Sequence, residues 1–290
     1  MRCRPRLYVW LLLALAPGAS AAESHHFFWE LKGRHNTVYL LGSVHMLKAA
    51  DSALPAEVLE AYRRSQAVML ELDLSDGGAD ALLGAGLEST LLPPDQSLDS
   101  VLGPQLYASF AEHARPLGLA PEITSRVQPW FAALLLEQMT LAKAGYDPAA
   151  GVDMQFTQRA VADHKPIIAL ETAAEQMGIF AQLSLPQQRD YLRSTLDELD
   201  SEDRQTSEMV QAWQRGDTAQ LESLLRHEAA DAPELFRMLT TDRNRRWLPK
   251  ITALLNDEHD DLVIVGAMHL VGRDGLIELL RQRGYSAVQH

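Results

Sequence analysis

The sequence predicts an α/β protein with a central mixed, mostly parallel sheet and helical insertions. Three observations predict it. Short apolar runs rich in Val, Ile, Leu and Tyr recur at 37–41, 67–73, 167–170 and 261–265, each of strand length. Long stretches of helical pattern separate them. Two of the runs are near copies, Tyr39-Leu-Leu-Gly-Ser-Val-His45 and Val263-Ile-Val-Gly-Ala-Met-His269, and each carries its apolar residues into Gly-x-x-His.

The first residues stand apart from the fold. Arg2, Arg4 and Arg6 precede an apolar stretch at 7–16, and the small residues Gly18-Ala-Ser-Ala-Ala22 follow. This is the layout of a secretory signal peptide at 1–21, with an apolar core too short for the ~20 residues that span a bilayer. Residues 22–290 then read as one α/β domain. Strands are expected at 27–31 and 37–41, joined by a turn at Gly33-Arg-His-Asn36. A loop follows His45, a helix occupies 56–65 after Pro55, and Ala67-Val-Met-Leu-Glu-Leu-Asp73 forms a third strand. A helical insertion runs from about 82 to 150, punctuated by Pro93, Pro94, Pro104, Pro116, Pro121 and Pro129. A helix at 153–163 leads into the strand at 167–170. A second, heavily charged helical insertion covers 172–256. The strand at 261–265, a helix at 275–283 and a short strand at 286–289 complete the chain.

Composition narrows the function classes. The formal charge is −13, and loss of three Arg with the leader would make it more negative. That argues against nucleic acid or an anionic membrane as partner, since both need clustered Lys and Arg. Cys3 is the sole cysteine and lies in the leader, so disulfides, thiolate ligands and cysteine nucleophiles are excluded after cleavage. No later apolar run approaches membrane length, so no stable membrane insertion is expected after cleavage. The expected compartment is a bacterial periplasm or the exterior.

His45, Glu71, Glu171 and His269 each stand at or just past the end of an apolar strand. In parallel α/β sheets that edge is where ligands bind. Two imidazoles and one or two carboxylates form a mixed nitrogen and oxygen set suited to Zn, Mn, Fe or Co. A carboxylate not used as a ligand could serve as general base. Asp73, two residues beyond Glu71, is expected on the same side. Plainer roles compete: imidazoles bonded to carbonyls, Glu71 paired with an Arg, Glu171 capping the following helix, and Arg243 lying on the surface among Arg245 and Arg246. Other motifs fall away. His227-Glu-Ala-Ala-Asp231 lacks the second His of a zinc-protease helix, and no Gly-x-Ser-x-Gly elbow exists. Gly272-Arg-Asp-Gly275 reads as a turn, and His25-His26 as loose terminus. Trp130 and Phe131 read as packing, with a peptide groove as the alternative.

Taken together, the paired Gly-x-x-His motifs, Glu71-Leu-Asp73, Gly151-Val-Asp153, Leu170-Glu-Thr172 with Gln176, and Arg243-Asn244 resemble the TraB/PrgY/GumN family over nearly all of 27–288. That family includes the Tiki proteins of animals, described as divalent-metal-dependent proteases that trim the amino end of Wnt proteins. It is similar in fold to erythromycin esterase and the haem-binding lipoprotein ChaN. The resemblance carries the motif histidines to His45 and His269 and the first acid to Glu71, and points next to Asp153, Glu171, Arg243 and Asn244. It implies a divalent ion (Mn, Co or Zn) held by His45, His269, Glu71 and Glu171, and hydrolysis of a peptide or small-molecule substrate. Glu71 would be ligand or base, and Arg243 would face the developing oxyanion. The alternatives are a non-catalytic metal-, haem- or peptide-binding protein and an esterase acting on small cyclic esters.

Overall fold

The computed structural model describes residues 25–75 and 89–290. The expected leader at 1–21 and the opening of the first helical insertion, 82–88, lie outside them. The strands are β1 (Phe28–Lys32), β2 (Thr37–Ser43), β3 (Ala67–Leu70), β4 (Ile167–Ala169), β5 (Asp261–Gly266) and β6 (Ala287–Gln289). They form one mixed sheet in the order β4-β3-β5-β2-β1-β6. The pairs β4–β3, β3–β5 and β5–β2 are parallel. The outer pairs β2–β1 and β1–β6 are antiparallel. The hairpin turn closes as the sequence requires, with Gly33 N–H donating to Asn36 O at 2.9 Å. Every residue of β2, β3 and β5 is buried, which is why these strands read as unbroken apolar runs.

Four parallel strands put four carboxyl ends on one edge of the sheet, and His45, Glu71, Glu171 and His269 all follow those ends. One expectation is corrected here. β3 stops at Leu70, and the alternation does not run on to Asp73. Asp73 is exposed, and its Oδ1 accepts from the Ser75 N–H (2.9 Å) and hydroxyl (2.6 Å) in a tight local turn. It therefore leaves Glu71 alone at this strand end.

The helices are α1 (Ala56–Arg64), α2 (Leu98–Ala114), α3 (Pro121–Thr124), α4 (Pro129–Lys143), α5 (Val152–Ala162), α6 (Ala173–Ala181), α7 (Leu185–Glu198), α8 (Glu202–Gln214), α9 (Thr218–Asp231), α10 (Pro233–Phe236), α11 (Asp242–Leu254) and α12 (Leu276–Gln282). α2 is two helices end to end. Gly103 adopts φ 74°, ψ 168° just before Pro104 and breaks the ladder between them. The two helical insertions pack on each other, with Leu98, Phe110 and Leu136 against Leu192 and Leu196 in an apolar cluster separate from that of the sheet. Trp130 is fully buried and stacks on Phe180 at 5.1 Å, so it packs the interior and lines no groove. His26 is tied down, its ring 3.0 Å from Glu57 and its carbonyl accepting from Gln289 Nε2 at 3.0 Å. Among the described residues, no helix is long and apolar enough to cross a membrane.

Candidate metal centre

Gly42 is required by close approach, and Gly266 opens a space. A Cβ on Gly42 would stand 2.3 Å from Phe27 Cδ1, and the Gly42 carbonyl accepts from Trp213 Nε1 at 2.7 Å. Gly266 is more telling. Its N–H donates to Glu71 Oε1 at 2.7 Å. A Cβ built on it would lie 3.3 Å from Glu71 Oε1, 3.5 Å from His269 Cδ2 and 3.7 Å from His45 Nε2. Both imidazoles and one carboxylate thus converge on the space above one glycine, and any side chain there would fill it.

His45 is aimed by the start of α5. Its Nδ1 lies 2.8 Å from Asp153 Oδ2, while Asp153 Oδ1 accepts from the Ser43 hydroxyl at 2.8 Å. Val152 N–H donates to Val44 O at 3.0 Å, and Gly151 must be glycine because a Cβ would sit 2.1 Å from His45 O. The Asp153 charge and hydrogen bond raise the His45 pKa to about 9. The ring stands 64% exposed, at the mouth of the site, with Nε2 turned toward Gly266.

His269 is held from behind. The amide of Asn244 is fixed because its Nδ2 donates to two carbonyls, His269 O at 3.2 Å and Asp274 O at 2.9 Å. Its Oδ1 must then accept the Nδ1–H of His269, at 2.7 Å, which leaves Nε2 as the lone-pair nitrogen. Burial pushes the His269 pKa down to about 3, so the ring is neutral. The Trp247 ring backs it at 4.6 Å.

Arg243 is buried at 6% exposure and joins the rest. Its Nε and Nη2 donate to Glu171 Oε1 at 2.9 and 2.6 Å, Nη2 also donates to Glu71 Oε2, and Nη1 donates to His269 Nε2 at 3.0 Å and to Leu239 O at 3.0 Å. Gln176 Nε2 adds a bond to Glu171 Oε1 at 3.2 Å. Burial disfavours the Glu71 carboxylate, but the Arg243 guanidinium, aided by protonated His45 and the Gly266 N–H, outweighs it and holds the pKa at about 2. Among the described residues, no three His, Asp or Glu side chains stand as a ready-made metal cage. Two guanidinium nitrogens already meet this pair, Nη2 at Glu71 Oε2 and Nη1 at His269 Nε2.

Residues 27–289 match the TraB/PrgY/gumN family. The chain belongs to that family. Among its relatives, the uncharacterized protein YbaP of Escherichia coli (strain K12) is 25% identical over 267 residues, covering 90% of this chain and 96% of YbaP. Metalloprotease TIKI2 of Xenopus tropicalis is 25% identical over 322 residues, and metalloprotease TIKI1 of Danio rerio is also 25% identical. The match covers 93% of this chain in both cases, but only 61% and 64% of those longer proteins. No solved structure matches.

Seen on the fold, this TraB-family chain gathers His45, Glu71 and His269 around Gly266. Glu171 lies one step behind. Its ion pairs are with Arg243 and, at 3.7 Å, Arg246, and not with either imidazole. Glu171 does not cap the next helix either, because Thr172 does, in a capping box with Glu175. Arg243 leaves the surface cluster to which Arg245 and Arg246 belong. Sequence reasoning passed over Ser43 and Trp247. Trp247, Leu248 and Ile251 form the buried stripe of α11 together with Arg243 and Asn244. Extending the helical period of those apolar residues back one turn would have found the buried arginine.

Proposed function

We propose that the protein is a periplasmic or secreted metal-dependent hydrolase, a peptidase of the Tiki kind, on a fold of the erythromycin esterase/ChaN type. One observation carries this reading: His45 Nε2, Glu71 Oε1 and the His269 ring meet over Gly266 at the carboxyl edge of the sheet. The donor set fits a divalent ion. It offers the His269 lone pair, an ionised carboxylate oxygen and, on release of its Nε2 proton to solvent, the His45 nitrogen, and each imidazole has its far nitrogen fixed by a partner, Asp153 or Asn244. The metalloprotease relatives support the same reading, and the leader-like residues 1–21 support export. His45, His269 and Glu71 would hold the ion, with Glu171 as an anchor for Arg243.

A bound divalent ion would act as a Lewis acid on a substrate carbonyl and draw a nucleophile from water near neutral pH. The protein's own groups supply orientation. Asp153 and Ser43 keep His45 Nε2 facing the glycine gap, and Asn244 keeps the His269 lone pair inward. Arg243 keeps Glu71 ionised. Gly266, having no side chain, leaves room for a carbonyl to approach.

The test is hydrolysis of a peptide library by the protein lacking 1–21, with Mn, Co or Zn added. Glu71→Gln keeps the shape and one oxygen but removes charge and basicity. It should lower turnover by roughly 10²–10⁴ while substrate affinity changes much less. Absence of wild-type turnover with every metal, together with tight peptide or haem binding, would instead indicate a sequestering protein. Turnover confined to cyclic esters would make it an esterase.

A further inference from the structure

A guanidinium has five N–H donors, and in this site all five of Arg243 are taken. Glu171 Oε1 receives two, Glu71 Oε2 one, Leu239 O one and His269 Nε2 one. His269 Nε2 has a single lone pair, because Asn244 fixes the proton on Nδ1. That lone pair accepts a guanidinium proton or a metal, not both. We propose that Arg243 is a built-in stand-in for the ion. It holds Glu71 and His269 in place when no metal is bound and competes with metal for His269 Nε2. On loading it surrenders that one bond, leaving an Nη1–H turned into the site as a donor for an anionic group of the substrate. The inference rests on the metal-centre reading above.

Two features favour this over a merely structural arginine. Losing the His269 bond leaves four of the five, three of them to carboxylates, so the side chain stays put when its donor is freed. Nη1 in particular keeps Leu239 O, which belongs to the π-helical turn Arg237–Thr241 just before α11. Such turns insert a residue into a helix and recur at functional sites. Here the turn places a carbonyl under the nitrogen that must be kept while its other bond is exchanged.

The test is calorimetric titration of chelator-treated protein with Mn²⁺ or Zn²⁺. Arg243→Gln alone would strand two buried carboxylates and risks misfolding. The double variant Arg243→Gln/Glu171→Gln removes one charge of each sign, leaves the cluster's net charge unchanged and frees His269 Nε2. It should bind metal about tenfold more tightly than wild type, the scale of one hydrogen bond. Wild-type binding with an equal or weaker double variant overturns the stand-in role and leaves the metal centre standing. Binding by the double variant alone sustains the stand-in role and shows that Arg243 shuts metal out of the wild type. Binding by neither removes both readings. A second readout needs no variant. When Zn²⁺ is added to ¹⁵N-labelled wild type, the Arg243 Nη1 protons should exchange faster with solvent while the Nη2 protons stay protected. Unchanged protection at Nη1 in a metal-loaded sample contradicts the proposal.

Discussion

Glu71 at the sheet edge is buried and Glu137 in helix α4 is half-buried, and their chemistry diverges. Burial works against ionisation in each. Glu71 nevertheless has its pKa held at about 2, because Arg243 and protonated His45 lie beside it and Gly266 N–H donates to it. Glu137 has its pKa pushed up to about 7. It accepts from the Thr195 hydroxyl at 2.8 Å and the Tyr191 hydroxyl at 3.1 Å, but the charged groups acting on it are Glu202 and Glu198, which oppose its ionisation. The sheet edge is built to keep a buried charge, as a metal ligand requires. The helical lobe is built to keep a proton. Retention of charge under burial marks the first region, and not the second, as the candidate for chemistry.

The largest test of that contrast removes the cation. Arg243→Met should leave Glu71 without its buried cation and Glu171 with only the more distant Arg246, and cost about 3–5 kcal/mol of stability, read by denaturant melts in chelator. Glu137→Gln, measured near pH 4.5 where the folded protein already holds this side chain neutral, should change stability by no more than about 1 kcal/mol. Equal effects from the two would erase the distinction between the regions.

A smaller effect is expected behind the site. Asp153→Asn should lower metal affinity by about 10–100-fold and bring the His45 pKa down from about 9 toward 6.5, as followed by NMR titration. An unmoved His45 pKa would mean that Asp153 does not set it.

The smallest effect lies in the helical lobe. The folded-state pKa of Glu137 is raised from 4.5 to about 7, so the folded protein binds the proton more tightly than the unfolded chain does. Its contribution is fully present below pH 4.5, declines as pH rises through the window to about 7, and is flat above. The difference between wild-type and Glu137→Gln stability should follow that curve in urea melts across the window. A flat difference would show that Glu137 ionises normally.

The sheet was legible because its central strands are buried on both faces and so appear as unbroken apolar runs. Both Gly-x-x-His motifs were legible for a related reason, since each follows such a run. The end of β3 was not. Leu70-Glu71-Leu72-Asp73 alternates like a strand, but Glu71 is captured by Gly266 and Arg243, from segments remote in sequence, and Asp73 closes a turn with Ser75. Local pattern carries no information about such long-range partners. The insertions were readable as helical, the first with prolines marking its starts and stops and the second as a heavily charged stretch, yet their mutual packing and the π-helical turn before Arg243 were not. Among Arg243, Arg245 and Arg246, residue type alone could not say which turns inward. The apolar stripe of α11 decides it.

The central claim is that His45 and His269 serve one ion, and metal content tests it most directly. The protein lacking 1–21, purified without a histidine tag and exposed to Mn²⁺, Co²⁺ or Zn²⁺, is assayed by elemental mass spectrometry beside His45→Ala and His269→Ala. A stoichiometric ion in the wild type, lost from both single variants with helix content unchanged by circular dichroism, is the expected result. Full occupancy retained in both variants would contradict a shared site.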